Sequence, residues 1–161
     1  MKKTLALVGQ QGVGKTTLAN FLKEKGVVTV FVEDIKDITE GHQKEQNEQA
    51  QTKKIIERIR SVDADTVVID DIKKISQIKE LKKNFSVRVL AITCDDKIRL
   101  ERLLAKKPSL AEKRNILLDE KKTYDIFKLV NQADMKIDNS GGMKELYETA
   151  NRVFRSLLSD S

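Results

Sequence analysis

Short apolar runs alternate with helix-spaced apolar patterns along almost the whole chain. The runs Thr4–Val8, Val27–Val32, Thr66–Ile69, Val87–Ile92 and Met135–Ile137 are continuous instead of alternating with polar residues, as expected for strands buried on both faces. Between them apolar residues recur three or four positions apart. Leu18, Phe21 and Leu22 run up to Gly26, and Ile55, Ile56 and Ile59 end a charged, glutamine-rich stretch that starts near Gly41. Ile72, Ile75, Ile78 and Leu81 form a third pattern, and Ile98, Leu100, Leu103 and Leu104 a fourth. Leu146, Ala150, Val153, Phe154 and Leu157 form the last, a stripe that reads as core packing. Strands separated by helices predict an α/β fold with a five-stranded parallel sheet covered on both faces. Pro108, the sole proline, should break the fourth helix. Ser109 and Glu112 then have capping-box spacing for a helical stretch over about 109–131. Phe127, Leu129 and Val130 within it read as core.

Composition narrows the class. The chain has 161 residues, of which 39% are hydrophobic, 35% charged and 4% aromatic. That suits one domain over 1–161 and argues against a disordered chain, a collagen-like repeat or a disulfide scaffold. Cys94 stands alone, so no internal bridge forms and a reducing compartment is expected. No apolar run approaches the ~18–20 residues that span a bilayer, and the run after Lys2-Lys3 is too short for a signal peptide. A cytoplasmic protein without a membrane partner is the expectation. His42, the only histidine, sits in a polar stretch and reads as surface.

The net charge of +6 is unevenly spread. Lys97–Lys128 holds ten basic residues against five acidic, whereas Glu33–Ala50 holds two basic against six acidic. A basic segment attracts polyanions such as nucleotides, phosphates or nucleic acid. No nucleic-acid-binding motif appears, and aromatic residues are too few for a base-stacking platform.

Chemistry concentrates after the first run. Gly9-Gln10-Gln11-Gly12-Val13-Gly14-Lys15-Thr16 matches G-x-x-x-x-G-K-[ST], flanked by an apolar strand and a helix that starts near Lys15. Glycines let the backbone curl so that successive N–H groups, here of Gly12 to Thr17, point at phosphate oxygens. The helix N-terminus adds partial positive charge at the same place. Lys15 should reach the β- and γ-phosphates, and Thr16 should ligate Mg²⁺. The third run ends in Asp70-Asp71, where an acid of this fold type holds Mg²⁺, and Asp70 is the better placed. Asp71 reads equally as a helix cap. Asp34, after the second run, lies where open α/β sheets bind ligands. It serves either to orient an acceptor group or to cap a helix.

Taken together, these residues resemble the nucleoside-monophosphate-kinase branch of the P-loop proteins, close to dephospho-CoA kinases and small archaeal adenylate-kinase-like proteins. The resemblance extends over nearly the whole chain. It implies a three-layer P-loop fold with strand order 2-3-1-4-5, an acceptor-binding insertion at about 37–60 and a short helical lid at about 106–119. Asp34-Ile35-Lys36 resembles the family's acid and basic residue facing the acceptor. Asp70-Asp71-Ile72-Lys73 resembles its D-G-x-R, with Asp71 for glycine and Lys73 for arginine. The run from Arg99 to Lys106 resembles the arginine-rich opening of the lid, which implies that Arg102, with Lys106 or Arg114, neutralises charge on the transferring group. Ala133–Gly141 resembles A-D-x-x-I-x-N-x-G, a loop against the adenine, and this places Asn139 in nucleotide binding. Lysine replaces arginine at Lys36, Lys73 and Lys106, a change from a planar fork to a point charge.

The reading so reached is an ATP- and Mg²⁺-dependent phosphotransferase acting on a nucleotide or nucleotide-like acceptor, such as a nucleoside monophosphate or dephospho-CoA. Lys15, Asp34 and Arg102 are its catalytic residues. Lys36, Lys73, Lys106 and Arg114 serve the lid and the acceptor phosphate. The alternative is a slow ATPase acting as a nucleotide-dependent switch or assembly factor with a protein or RNA partner.

Overall fold

The computed structural model describes residues 1–35, 44–106 and 124–159. Its strands are β1 (Lys3–Val8), β2 (Val28–Phe31), β3 (Thr66–Asp70), β4 (Ser86–Thr93) and β5 (Met135–Asp138). The helices are α1 (Lys15–Glu24), α2 (Lys44–Ser61), α3 (Ile75–Asn84), α4 (Asp96–Lys106), α5 (Tyr124–Asn131) and α6 (Met143–Ser159). All pairings are parallel, in the order β2-β3-β1-β4-β5.

Alternate residues of the strands feed two cores. Ala6, Val8, Val67, Ile69, Val89 and Ala91 meet Ile55, Ile59, Ile78 and Leu81 from α2 and α3, with Leu129 from α5. Leu5, Leu7, Val68, Leu90 and Ile92 meet Leu18 and Leu22 of α1 and Leu146 and Ala150 of α6. Burial on both faces explains why the strands read as unbroken apolar runs. On the second face Phe21 and Tyr147 stack at 4.1 Å between centroids, joining α1 to α6.

Two details depart from the sequence reading. The second strand stops at Phe31, and Val32–Asp34 turn into a 3₁₀ segment instead of continuing the strand. Phe127 is 43% exposed because it lies on the outer side of α5, while Ile126 and Leu129 face inward. Helical spacing allowed it a core position, and the placement of α5 on the sheet turns it away. Of the lid at about 106–119 only the backbone of Lys106 is described; the rest of it, Lys36, Arg114, His42 and the Ser109/Glu112 pair lie outside the described residues.

Register sets where function concentrates. Leu7 of β1 pairs with Asp70 of β3, and Asp70 pairs with Phe31 of β2. Chain segments leaving the carboxyl ends of three adjacent strands therefore emerge side by side. This is the edge at which parallel α/β sheets place ligands.

Candidate active site

The loop between β1 and α1 is built on glycines in the left-handed region. Gly9 has φ +152°, and a Cβ there would lie 2.5 Å from the Ile92 carbonyl oxygen of β4. Gly14, at φ +103°, would bring a Cβ within 2.5 Å of Asn139 Nδ2. Only glycine accommodates both the backbone angle and the close approach. Asn139 is buried and donates from Nδ2 to the Val13 carbonyl at 2.8 Å. Its backbone N–H donates to Thr93 at 2.7 Å, so the turn after β5 is fastened both to β4 and to the loop.

Lys15 opens α1 at 7% exposure. Its Nζ donates to the carbonyls of Gly9 at 2.6 Å and Gln10 at 2.9 Å, and lies 3.7 Å from Asp71 Oδ1. Those bonds span the mouth of the loop and hold the ammonium where phosphate oxygens would replace the carbonyls as partners. Next along the helix, Thr16 Oγ1 donates to Asp70 Oδ2 at 3.2 Å. The other oxygen of Asp70 is buried with no hydrogen-bond partner. The Asp70 carboxyl is pushed up from 3.8 to about 6, chiefly by burial, then by the neighbouring Asp71 and, more weakly, Glu33. Thr16 and Lys15 pull it the other way. A buried carboxylate with an unmatched oxygen beside a hydroxyl suits a hard divalent cation with oxygen ligands, so these residues fit Mg²⁺.

Two arginines of α4, three positions apart, bond the segments that build the site. Arg102 donates from Nη2 to the Asn139 carbonyl at 2.8 Å and from Nη1 to Cys94 Sγ at 3.3 Å. Arg99, 5% exposed, donates to the Gln11 carbonyl at 3.2 Å and has Asp96 at 3.3 Å. The sequence reading singled out Arg102 and left Arg99 without a role. The i, i+3 spacing marks both, but only the seating of α4 on the loop separates the residue that fastens the loop from the one facing the cleft.

Above the loop opens a cleft of about 420 Å³. Gly12, Gly14, Lys15, Thr16 and Thr17 line its floor, and Arg102 and Asn139 line one wall. Leu103, Met143 and Leu146 add an apolar side. Glu33 and Asp71 form the opposite rim, and both also line a second cavity of about 360 Å³ toward α2 and α3. Lys73 lies in that second cavity, 3.3 Å from Asp71 Oδ2. Asp71 is the one non-glycine residue with positive φ among the described residues, at +77°. Asp34 is exposed and lines neither cavity, whereas its neighbour Glu33 lines both. The 3₁₀ turn after β2 decides which of the two acids faces the cleft.

A glycine loop closing on a helix N-terminus, with a strand-end acid against its threonine, belongs to the P-loop proteins, and the sheet order is that of the kinase-type P-loop fold. Residues 5–128 match the AAA domain family, and the chain belongs to it. A UPF0200 protein of Sulfurisphaera tokodaii is 26% identical over 175 aligned positions, covering 97% of this chain and 98% of that protein. Protein TT1252 from Thermus thermophilus shares the fold at a TM-score of 0.70 and 14% identity, covering 97% of this chain and 98% of that one. A gluconokinase from Sinorhizobium meliloti 1021 does so at 0.72 and 15%, covering 99% of this chain and 97% of that one. These findings are consistent with the nucleoside-monophosphate-kinase-like resemblance of the sequence. Among the described residues, no helix is long and apolar enough to cross a membrane.

Proposed function

We propose that the protein transfers the terminal phosphoryl group of ATP to a small-molecule acceptor bound beside the P-loop. The observation that carries this reading is the pair of adjoining cavities: the P-loop cleft and the second cavity meet at Glu33 and Asp71. A nucleotide-binding protein needs only the first. The kinase-type fold supports a nucleotide-dependent phosphotransferase in general, and the shared rim supports transfer between two bound molecules.

In this reading the backbone N–H groups of the loop and Lys15 hold the triphosphate, and Leu103, Met143 and Leu146 cover the base. Thr16 and Asp70 would hold Mg²⁺, which when bound neutralises charge on the phosphate oxygens. Arg102 adds positive charge near the transferring group, and Asn139 keeps the loop in register. An acceptor oxygen bonds to the γ-phosphorus as the bond to the β–γ bridging oxygen breaks. The hydroxyl proton passes to a rim carboxylate, Asp71 or Glu33, and ADP leaves. Such catalysis rests on positioning and electrostatics. ADP release should be measured with a panel of acceptors against a no-acceptor control, with Lys15→Ala as the blank. The panel includes nucleoside monophosphates, dephospho-CoA and sugars. A rate that jumps with one acceptor and vanishes in the blank is the expected result.

The slow-ATPase reading retains one specific support, the Lys73–Asp71 pair, which occupies the cation standing where the family has arginine. Turnover indifferent to every acceptor and raised by a protein or RNA partner would favour it.

A further inference from the structure

The lining of the second cavity describes its occupant. Among the described residues, three carboxamides face it: Asn47 and Gln51 from α2, and Gln77 from α3. Gln77 is 3% exposed, and its Nε2 donates to Gln51 Oε1 at 3.0 Å. Fixing one carboxamide against another orients both, so their remaining donor and acceptor sites point in defined directions. The charged groups described there do not favour an anion. Among the described residues, three carboxylates, Glu33, Glu48 and Asp71, stand against two lysines, Lys73 and Lys74. Lys73 is paired with Asp71, and Glu48 accepts a hydrogen bond from Ser76.

A nucleoside monophosphate makes two demands, a flat face for its base and cationic forks for its dianionic phosphate. No Phe, Tyr or Trp occurs anywhere between Val32 and Asn84, the stretch that supplies the described lining of this cavity. Among the described residues, no arginine lines it, and its cations do not outnumber its acids. Carboxamides and carboxylates side by side are instead the groups that bind hydroxyls, since together they accept and donate in many directions. At about 360 Å³ the space lies at the small end of ligand pockets.

We infer that the second cavity binds a small, uncharged, polyhydroxylated molecule of the sugar or polyol class, and not a nucleotide. The inference rests on the phosphotransferase reading for what happens to that molecule, but not for its binding. One hydroxyl lies at the Glu33–Asp71 rim, facing the P-loop cleft, while the others meet Asn47, Gln51 and Gln77.

The test is saturation-transfer NMR on the full chain with ADP and Mg²⁺, a method suited to weak ligands. The probes are glucose, ribose, glycerol and myo-inositol on one side, and AMP, CMP, UMP and dephospho-CoA on the other. ADP at saturation keeps the nucleotide probes out of the P-loop cleft. The expected result is transfer to at least one polyol and to none of the nucleotides. Gln51→Ala and Asn47→Ala, on the partly exposed face of α2, should each reduce the polyol signal at least threefold while leaving the melting temperature within a few degrees. Binding of nucleotides alone, binding of no probe, or polyol binding indifferent to both variants would each overturn the inference. ADP release from ATP is followed with the same probes. A polyol that binds in this way without raising ADP release leaves the ligand class standing and sinks the transfer reading. Release raised only by a nucleotide does the reverse.

Discussion

Thr16 Oγ1 and Asp70 Oδ2 lie 3.2 Å apart although 54 residues separate them in sequence. The contact exists because β1 and β3 are neighbours in parallel register, so the start of α1 and the end of β3 share one edge. It leaves a carboxylate half satisfied inside the protein, and that has a measurable pH signature. A native carboxyl at about 6 against 3.8 unfolded binds more protons in the folded state over that interval. Stability from this group is therefore greatest at low pH and falls as pH rises from about 4 to 6, then levels off. The two-unit gap corresponds to at most ~3 kcal/mol. In Asp70→Asn this fall should be absent, and the difference between the two proteins should grow in favour of the variant up to about pH 6. Denaturant melts without nucleotide or metal at pH 4.5, 5.5, 6.5 and 7.5 check this. Parallel curves would contradict it.

Gly9 and Gly14 should fail for different reasons. Alanine at Gly9 meets a backbone carbonyl of the central sheet, which cannot yield. At Gly14 the obstacle is the Asn139 side chain, and the unfavourable angle of φ +103° remains besides. Left-handed backbone alone costs a β-carbon residue ~1–2 kcal/mol. Gly14→Ala should therefore lower stability by more than that, and adding Asn139→Ala should recover part of the loss. The Gly9→Ala defect should persist when Asn139 is also replaced. Thermal denaturation of the four variants decides between them.

Asp71 holds an unfavourable angle and touches both Lys15 and Lys73. Asp71→Gly should stabilise the protein modestly by relieving the backbone, against the greater freedom that glycine gives the unfolded chain. It should also tighten ATP binding several-fold, since Lys15 loses a competing anion. If the rim carboxylate receives the acceptor proton, kcat with acceptor should fall at least tenfold in the same variant. A variant that loses ATP affinity would contradict the placement.

Arg102 bonds the Asn139 carbonyl while facing the cleft. Arg102→Ala should slow turnover far more than it weakens ATP binding, by on the order of a hundredfold against less than tenfold. Equal losses would mean that it serves only to brace the loop.

Much of the fold is legible in the sequence. The strands were visible as unbroken apolar runs because both faces of the sheet are covered, and the loop because its glycines and Lys15 keep fixed spacing. Asp70 stood out because it ends β3, and the structure sets it against Thr16. What was not legible depended on how elements sit on one another. Whether Glu33 or Asp34 faces the ligand edge is decided by a three-residue turn, and whether Arg99 or Arg102 fastens the loop by the seating of α4. Phe127 had the same helical phase relation to its neighbours as a core residue has. The carboxamides of the second cavity gave no signal, because Asn47, Gln51 and Gln77 come together only when α2 and α3 pack.

The proposed function stands or falls on binding of a nucleoside triphosphate with Mg²⁺ through Lys15, Thr16 and Asp70. Its most direct test is calorimetric titration of the protein with ATP, with and without Mg²⁺, beside Lys15→Ala. Saturable binding that is tightened by Mg²⁺ and weakened at least tenfold in Lys15→Ala is the predicted result. No binding, or binding that neither Mg²⁺ nor the substitution changes, would contradict it.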